Sequence, residues 1–374
     1  MVAQACEEDG SLGGGLVSDE GEVRADTALI PSTRQVSAPT FSGNQVFVSA
    51  GNYEDMLFGD QQVTALFQPA LSSADLETIT NTATAELELV VDEVYGNPNA
   101  STEFELNEIT RRWRANAWRP DSVAAINENI SLGTGTYQPG DDTLRIPVAD
   151  SWLRSFQEYF EDNDQEGYRE NMFGFALRAH DQGQILAFDE EQSRLVIDNQ
   201  ADTLSHTGFR STAFSLQRNT EGTHESEGST LVQNTFESFL KLEFEVDAEF
   251  IGSENISRAE LVLYEDSELL RTTLAEGHQR NEAAVLDFYL LEESDLDVAI
   301  AEQPQFSVSK EEDGSYRMNL TGFVREHLTG ELEEDREFYI VAGANNGKLV
   351  QTALYNHRDD FQAPKLLITS VEPD

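Results

Sequence analysis

The sequence predicts an all-β protein of 374 residues, made of two similar halves with short helical insertions. Three observations support this fold class. Apolar residues alternate with polar ones at a period of two, which is typical of half-buried strands. Turn-forming residues such as Gly96-Asn97-Pro98 separate these short runs. The order of the runs in the first half recurs in the second half, which indicates an internal repeat.

The composition is that of a globular protein with room for two domains. Hydrophobic residues make up 39% of the chain, and 374 residues can bury two separate cores. No apolar run approaches the roughly 20 residues that a membrane-spanning helix needs. The sequence therefore predicts no helical membrane span.

Residues 1–42 are predicted to form a lipoprotein-like tether. Cys6 is the only cysteine, which excludes a disulfide within the chain and a cysteine-based metal site. Small residues before Cys6 and the acidic "EEDG" after it resemble the start of a lipidated bacterial surface protein. This resemblance implies lipidation of Cys6, anchoring to the outer membrane through lipid alone, and a cell-surface or extracellular location. The alternative is an incidental cysteine near the N-terminus.

The strand pattern begins near Gln45 and continues through the predicted first domain, residues 43–199. "VTALFQPAL" is an apolar run. "AELELVVDEVY" then places Leu87 and Leu89 on one side and acids on the other. "STEFELNEIT" repeats the alternation through Phe104 and Leu106. "DDTLRIPVADSWLRSFQEYF" passes from a strand into a short amphipathic helix. Many short strands separated by turns predict a sandwich or a barrel.

The second domain, predicted at residues 209–374 after a linker at 200–208, repeats these elements. "SRAELVLYEDS" matches "ATAELELVVDE", and "DGSYRMNLTGFVREHLTGEL" again runs from a strand into a short helix. "FGFALRAHDQG" and "FYIVAGANNG" both end at a polar hairpin with a glycine. The halves close with "SRLVID" and "PKLLITS". From this match we expect Phe175 and Leu177 to face one core, as Tyr339 and Val341 face the other.

The order of these pieces resembles the DNRLRE-domain jelly rolls, a family related to carbohydrate-binding modules. The resemblance rests on "LKLEF" followed by "ISRAELVLY", on the short helix after "RMNLTGFV", and on the terminal "APKLLITS". It covers both halves. It implies two tandem jelly-roll β-sandwiches with a binding or architectural role, and it transfers no catalytic residues.

The charge of the chain is strongly acidic. Seventy Asp and Glu against 24 Lys and Arg give a formal net charge of -46. A polyanion would be repelled, so we expect no nucleic-acid partner. Acids spread over the whole chain resemble proteins of salt-loving bacteria, in which a Debye length of about 3 Å at molar salt relieves self-repulsion. A calcium-loaded surface protein and an acidic mesophilic protein are the alternatives.

Motifs for catalysis are missing from the sequence. The six histidines are scattered, without H-E-x-x-H spacing. Neither a G-x-S-x-G elbow nor a phosphate-binding G-x-x-x-x-G-K-[ST] loop occurs. Carboxylate pairs are too abundant to single out one pair for glycoside hydrolysis. We therefore expect a protein that is not an enzyme.

"RRWRANAWRP" offers the candidate glycan-binding residues Trp113, Trp118 and Arg114. Indole faces stack on sugar rings, and a guanidinium group binds hydroxyls or carboxylates. The alternative is that Trp113 covers the core while the arginines pair with nearby acids.

A calcium site is the only candidate cofactor site. Asp162, Asp164 and Glu166 place oxygen ligands at alternating positions before Gly167, as at the start of a calcium loop. Phe173 stands where the bidentate glutamate is required, so the alternative is a solvated turn between a helix and a strand.

Two functions are compatible with these residues. The first is a non-catalytic structural or adhesive lipoprotein of the cell surface, as a subunit of an extracellular assembly whose partners are other surface proteins. The second is a carbohydrate-binding protein that captures polysaccharide. An enzyme is the third and weakest option.

Overall fold

The computed structural model has an all-β fold in which short helices are the only other regular elements, confirming the predicted class. It describes residues 22–29, 32–37, 40–71, 82–161, 167, 170–199, 204–221, 223, 227–235, 239–243, 256–292, 304–329, 336–343, 346–359 and 362–372. Among these residues there are 21 strands and three α-helices. All strand pairs are antiparallel apart from one isolated bridge, Glu282 with Gln351.

The first half of the chain contains ten strands and one α-helix. They are β1 (Glu22–Leu29), β2 (Ser32–Val36), β3 (Phe47–Asp55), β4 (Gly59–Pro69), β5 (Thr84–Gly96), β6 (Thr102–Ile109), β7 (Ile126–Tyr137), β8 (Thr143–Val148), α1 (Asp150–Glu161), β9 (Phe175–Ala179) and β10 (Gln184–Asp198). A short 3-10 helix, Ala115–Ala117, lies between β6 and β7.

The second half contains eleven strands and two α-helices. They are β11 (Leu204–Thr207), β12 (Phe209–Asn219), β13 (Ser229–Gln233), β14 (Phe239–Glu243), β15 (Ile256–Tyr264), α2 (Ser267–Thr272), β16 (Val285–Glu292), β17 (Phe306–Ser309), β18 (Ser315–Asn319), α3 (Thr321–Thr329), β19 (Arg336–Val341), β20 (Gln351–Tyr355) and β21 (Lys365–Glu372).

Strands β3 to β12 form the first β-sandwich, which we call repeat 1. Hydrogen bonds connect them in the order β7-β6-β9-β4-β3-β10-β5-β8, with β11 on β10 and β12 on β4. Apolar residues at alternate positions of both layers meet in one core. Phe67, Leu106 and Leu177 come from one layer, and Leu87 and Ile197 from the other.

Repeat 2 is the sandwich of strands β13 to β21 together with β1 and β2. One layer has the order β1-β21-β15-β18 and the other β17-β16-β19-β14-β2, while β13 pairs with β20. Leu261 and Leu366 of the first layer pack with Phe288, Ile340 and Leu240 of the second.

The strand orders of the two repeats correspond. The run β8-β5-β10 in repeat 1 matches β18-β15-β21 in repeat 2, and β7-β6-β9-β4 matches β17-β16-β19-β14. The pair of β3 with β10 matches the pair of β13 with β20. Helices α1 and α3 follow the equivalent strands β8 and β18. The two halves thus agree in these runs, but β3 also pairs with β4, whereas no such pair joins β13 to β14 among the described strands.

Each repeat is completed by strands from the start of the other half. Strands β11 and β12, which precede β13, pair with β10 and β4 of repeat 1. Strands β1 and β2, which precede β3, pair with β21 and β14 of repeat 2. The added strands occupy equivalent places in the two sandwiches. In repeat 1 they lie next to β10 and β4, and in repeat 2 they lie next to β21 and β14.

This arrangement differs from the domain boundaries expected from sequence. Within residues 1–42, expected as a tether, Glu22–Leu29 and Ser32–Val36 are strands of repeat 2. Within the expected linker 200–208, Leu204–Thr207 is a strand. Phe209–Asn219, expected to begin the second domain, pairs with repeat 1. Main-chain hydrogen bonding at sheet edges places these segments, and it leaves little trace in side-chain patterns.

The prediction of which β19 side chains face the core is wrong by one residue. Phe175 and Leu177 do lie in the core of repeat 1. In β19, however, Phe338 and Ile340 face the core of repeat 2. Tyr339 and Val341 form a second apolar cluster with Phe239 and Tyr289 on the other side of that layer. Both faces of β19 are buried, so apolar alternation could not identify the core side.

Candidate functional site

A polar groove of about 400 Å³ lies on the outer face of one layer of repeat 1. We call it the outer groove. Alternation along the strands produces it: Phe67 and Leu177 point into the core, whereas Thr64 and Arg178 point outward. The lining residues come from six strands and the loops beside them, namely Asn52, Gln62, Thr64, Glu105, Val123, Ala124, Ile126, Glu128, Arg178, Ala179, His180, Ser215 and Gln217.

Arg178 is the central cation of the outer groove. Its Nη1 lies 2.9 Å from Glu128 and its Nη2 lies 3.7 Å from Glu105. Its Nε donates a 3.1 Å hydrogen bond to Oδ1 of Asn107. The Nε2 atom of His180 lies 3.4 Å from the same Glu105 carboxylate. Donors and acceptors thus alternate along the groove, which suits recognition of a ligand rich in hydroxyl groups.

The connection between β6 and β7 covers an apolar patch next to the outer groove. Leu66, Ala176 and Ala213 form this patch on outward positions of their strands, and Trp113 and Trp118 pack on it. The two indole rings meet edge to face, with centroids 5.8 Å apart. Both tryptophans therefore pack on the outer face of the sheet.

The indole N–H groups of the predicted glycan-binding residues are bonded within the protein. Trp113 donates to the carbonyl of Phe173 at 2.8 Å. Trp118 donates to Oγ of Ser215 at 3.2 Å, and Ser215 lines the outer groove. Both rings are half-buried, and Arg114, just before the 3-10 helix, is exposed. Trp118 is therefore the predicted residue that the structure connects directly with the groove.

The other predicted site residues lie outside the described part of the chain. This applies to the lipidation candidate Cys6 and to the calcium candidates Asp162, Asp164 and Glu166. Within the described ranges, no three His, Cys, Asp or Glu side chains are grouped as metal ligands would be. No helix among the same residues has the length and apolar character to cross a membrane.

A second concentration of charge lies buried between the two repeats. We call it the inter-repeat cluster: Asp55, Gln61 and Tyr95 from repeat 1 with Arg280 and Gln351 from repeat 2. Nε of Arg280 donates to Oδ2 of Asp55 and Nη2 donates to Oδ1, both at 2.7 Å. The side chain of Asp55 is fully buried and that of Arg280 is 4% exposed. A buried, bidentate ion pair thus joins the two sandwiches.

Further hydrogen bonds satisfy the remaining atoms of the inter-repeat cluster. Oδ1 of Asp55 accepts from the backbone N–H groups of Leu57 and Phe58 at 2.8 and 3.0 Å. The hydroxyl of Tyr95 lies 2.9 Å from Oδ2 of Asp55 and 2.8 Å from Oε1 of Gln351. A buried ion pair is tolerated when further hydrogen bonds satisfy its remaining donors and acceptors in this way.

The electrostatics of the inter-repeat cluster follow from its burial. Burial, together with the charge of Asp55, raises the pKa of Tyr95 well above its ordinary value. Burial alone would lower the pKa of Arg280, but the hydrogen bonds and charge of Asp55 outweigh it and raise that pKa. Tyr95 therefore stays neutral and Arg280 stays charged at physiological pH.

The loop before β20 that contains Gly347 also joins the repeats; it is not the expected hairpin, because β19 pairs with β14 and β16 and β20 pairs with β13. The carbonyl of Asn346 accepts from the N–H of Phe47 at 2.9 Å. Oγ of Ser49 donates to the carbonyl of Gly347 at 2.7 Å. Lys348 pairs with Asp92 and Glu93 of β5. Gly347 has φ +96° and sits so close to β3 that a Cβ atom would lie 1.7 Å from the Phe47 carbonyl oxygen.

Sequence reasoning missed both the outer groove and the inter-repeat cluster. In "FALRAHD", Arg178 and His180 are polar residues at alternate positions of an otherwise apolar strand, and that pattern could have marked the groove. Asp55 and Arg280 are 225 residues apart and stand among many acids, so no local signal connects them. No protein-family model matches the chain, and no curated protein matches it either.

Proposed function

We propose that this protein is a non-catalytic structural or adhesive lipoprotein of the cell surface, serving as a subunit of an extracellular assembly. The observation that supports this best is the reciprocal completion of the two sandwiches. Because each repeat holds strands of the other, the repeats cannot separate without breaking strand pairs. A chain built in this way suits a role that must resist extension.

The acidic surface supports an extracellular role in high salt. The net charge of -46 is a strong self-repulsion that molar salt screens. Cys6 precedes the first described strand, β1, by 15 residues of sequence, which is a suitable spacing for a lipid-anchored arm. The protein would then stand away from the membrane on this arm, with its partners among other surface proteins.

The anchor and the surface role can be tested together in cells. The protein should be expressed behind a lipoprotein export signal in a Gram-negative host that tolerates salt. We expect it to incorporate labelled fatty acid, to remain with membranes and to be digested by protease added to intact cells. Cys6→Ser should abolish all three results, and Ser11→Ala on the same arm is the matched control. Unchanged membrane association of Cys6→Ser would contradict the proposed anchor.

A second candidate function, saccharide binding, is favoured by the outer groove. Arg178, Glu105 and Glu128 supply alternating donors and acceptors, and Trp118 packs beside them. A glycan array in molar KCl, followed by calorimetry, tests this function. Arg178→Ala should remove binding, whereas Arg145→Ala, an arginine paired with glutamates on the other layer of repeat 1, should not. Absence of binding to any glycan would leave the structural role alone.

A further inference from the structure

In both halves of the chain, the two strands that precede a repeat in sequence complete the sandwich of the other repeat. Strands β11 and β12 begin the second half, and they complete repeat 1, with β12 running along β4 from Phe209 to Asn219. In repeat 2, strands β1 and β2 of the same chain occupy the equivalent places, next to β21 and β14.

The contacts of β1 and β2 do not depend on which chain supplies them. Strand β1 pairs with β21 from Glu22 opposite Glu372 to Leu29 opposite Lys365, and β2 pairs with β14 along its whole length. These are main-chain hydrogen bonds, which any copy can offer at a sheet edge.

Two side chains of β2 add anchoring contacts. Val36 packs on the apolar cluster that contains Phe239 and Tyr339. Oγ1 of Thr33 lies 2.8 Å from Nδ1 of His357, and the N–H of His357 lies 3.2 Å from the same oxygen. Val36 and Thr33 would make the same contacts from a second copy.

We propose that repeat 2 also accepts strands β1 and β2 from a second copy of this chain, so that copies join head to tail through strand exchange. In such a fibre, the β1–β2 pair of the next copy would complete repeat 2 just as β11 and β12 complete repeat 1. Exchange of identical elements is a low-cost route to assembly, since the bonds broken and made are the same. This inference rests on the proposed structural role and names its assembly surface.

The balance between closed chains and joined copies depends on concentration. A chain's own strands β1 and β2 compete with those of other copies at a high effective concentration, which is in the millimolar range for segments joined by short linkers. Joined copies should therefore appear as the protein concentration approaches that range, as at a crowded surface. The net charge of -46 opposes close approach of copies, so molar salt should favour joining.

Energy transfer between two separately labelled full-length proteins tests the exchange. Both carry Cys6→Ser. One carries Ala25→Cys with a donor dye, and the other carries Thr369→Cys with an acceptor, at positions that are opposite each other in the strand pair. The two proteins are mixed at concentrations from micromolar to millimolar in about 2–4 M KCl, because molar salt screens the repulsion between copies. The expected result is transfer that rises with concentration, together with species of two or more chains by light scattering.

Two controls decide between strand exchange and general aggregation. In the first, the donor is moved to Gln192→Cys, an exposed position of repeat 1, and transfer to Thr369→Cys should be much weaker. In the second, Ala25→Cys and Thr369→Cys of one chain are joined by a short bismaleimide, which should prevent association. Association of the joined chain, equal transfer from Gln192→Cys, or single chains at every concentration would overturn strand exchange. None of these outcomes depends on lipidation or surface location.

Discussion

Arg280→Met should destabilise both repeats, although Arg280 belongs to repeat 2 alone. The substitution leaves the fully buried carboxylate of Asp55 without its cation. Breaking a buried ion pair from one side costs about 3–5 kcal/mol, because an uncompensated charge remains. Two further acceptors, the carbonyl oxygens of Leu270 and Thr273, also lose their donor. We therefore expect a loss of about 3–5 kcal/mol in the free energy of unfolding.

Tryptophan fluorescence makes this prediction specific. Trp113, Trp118 and Trp152 are the only tryptophans, and all three lie in repeat 1. Urea unfolding in molar KCl should be followed by fluorescence, which reports repeat 1, and by far-UV circular dichroism, which reports both repeats. In Arg280→Met both transitions should move to lower urea by the same amount.

Two comparisons test the reasoning behind this magnitude. Arg317→Met removes an arginine that is 30% exposed and paired with half-buried Glu260 and exposed Glu311, so it should cost less than about 1 kcal/mol. Asp55→Asn combined with Arg280→Met should cost less than the sum of the single variants, because the pair is removed together. The reasoning is refuted if Arg280→Met leaves the fluorescence transition in place while the dichroism transition splits.

Three further predictions concern the Gly347 loop, pH and salt. Gly347→Ala should lower the melting temperature more than Gly314→Ala, since both glycines have positive φ but only Gly347 abuts the Phe47 carbonyl; equal losses of melting temperature would argue against the close contact of the Gly347 loop with β3. Burial raises the pKa of Asp287 in the folded protein above its ordinary 3.8. The buried carboxyl is therefore tolerated in its protonated form at low pH, and the free energy of unfolding falls as the pH rises through the raised pKa. Asp287→Asn should thus be more stable than the parent at pH 7 and no more stable below pH 3.8, and a gain that persists in acid would contradict this. The melting temperature should rise from low to molar KCl, because salt screens the charge of -46, and a flat response would exclude the adaptation to salt.

Alternation and repetition made the fold class predictable from sequence. Strands such as β5 bury Leu87 and Leu89 on one face only, so their period of two was visible. Gly96 ends β5 and Gly347 lies in the loop between β19 and β20; both have positive φ, which explains why glycines indicated the breaks between strands. The matched order of strands in the two halves follows from these local signals.

The exchange of strands between repeats could not be predicted in this way. The pairing of β1 with β21 joins residues more than 330 positions apart through main-chain bonds, and main-chain bonds impose few side-chain requirements. Residues 22–36 also carry several polar residues, so the sequence indicated a tether. Edge strands are where pattern-based reasoning is weakest, because only part of their surface is buried.

The candidate site was only partly predictable. "RRWRANAWRP" drew attention to Trp113 and Trp118, which lie beside the outer groove but are half-buried by packing. Arg178 and Glu105 come together only when β9 pairs with β6, so their proximity is a product of topology. Residues that act through distant pairing carry no spacing signal in the chain.

Hydrogen–deuterium exchange of the full-length protein tests the mutual completion of the repeats most directly. Backbone amides of residues 22–29 and 32–36 should be protected in the native protein, because β1 and β2 are bonded to β21 and β14. Their protection should be lost together with that of residues 365–372 and 239–243 as urea is added. Immediate exchange of residues 22–36, with β21 and β14 still protected, would contradict the claim that the repeats complete each other.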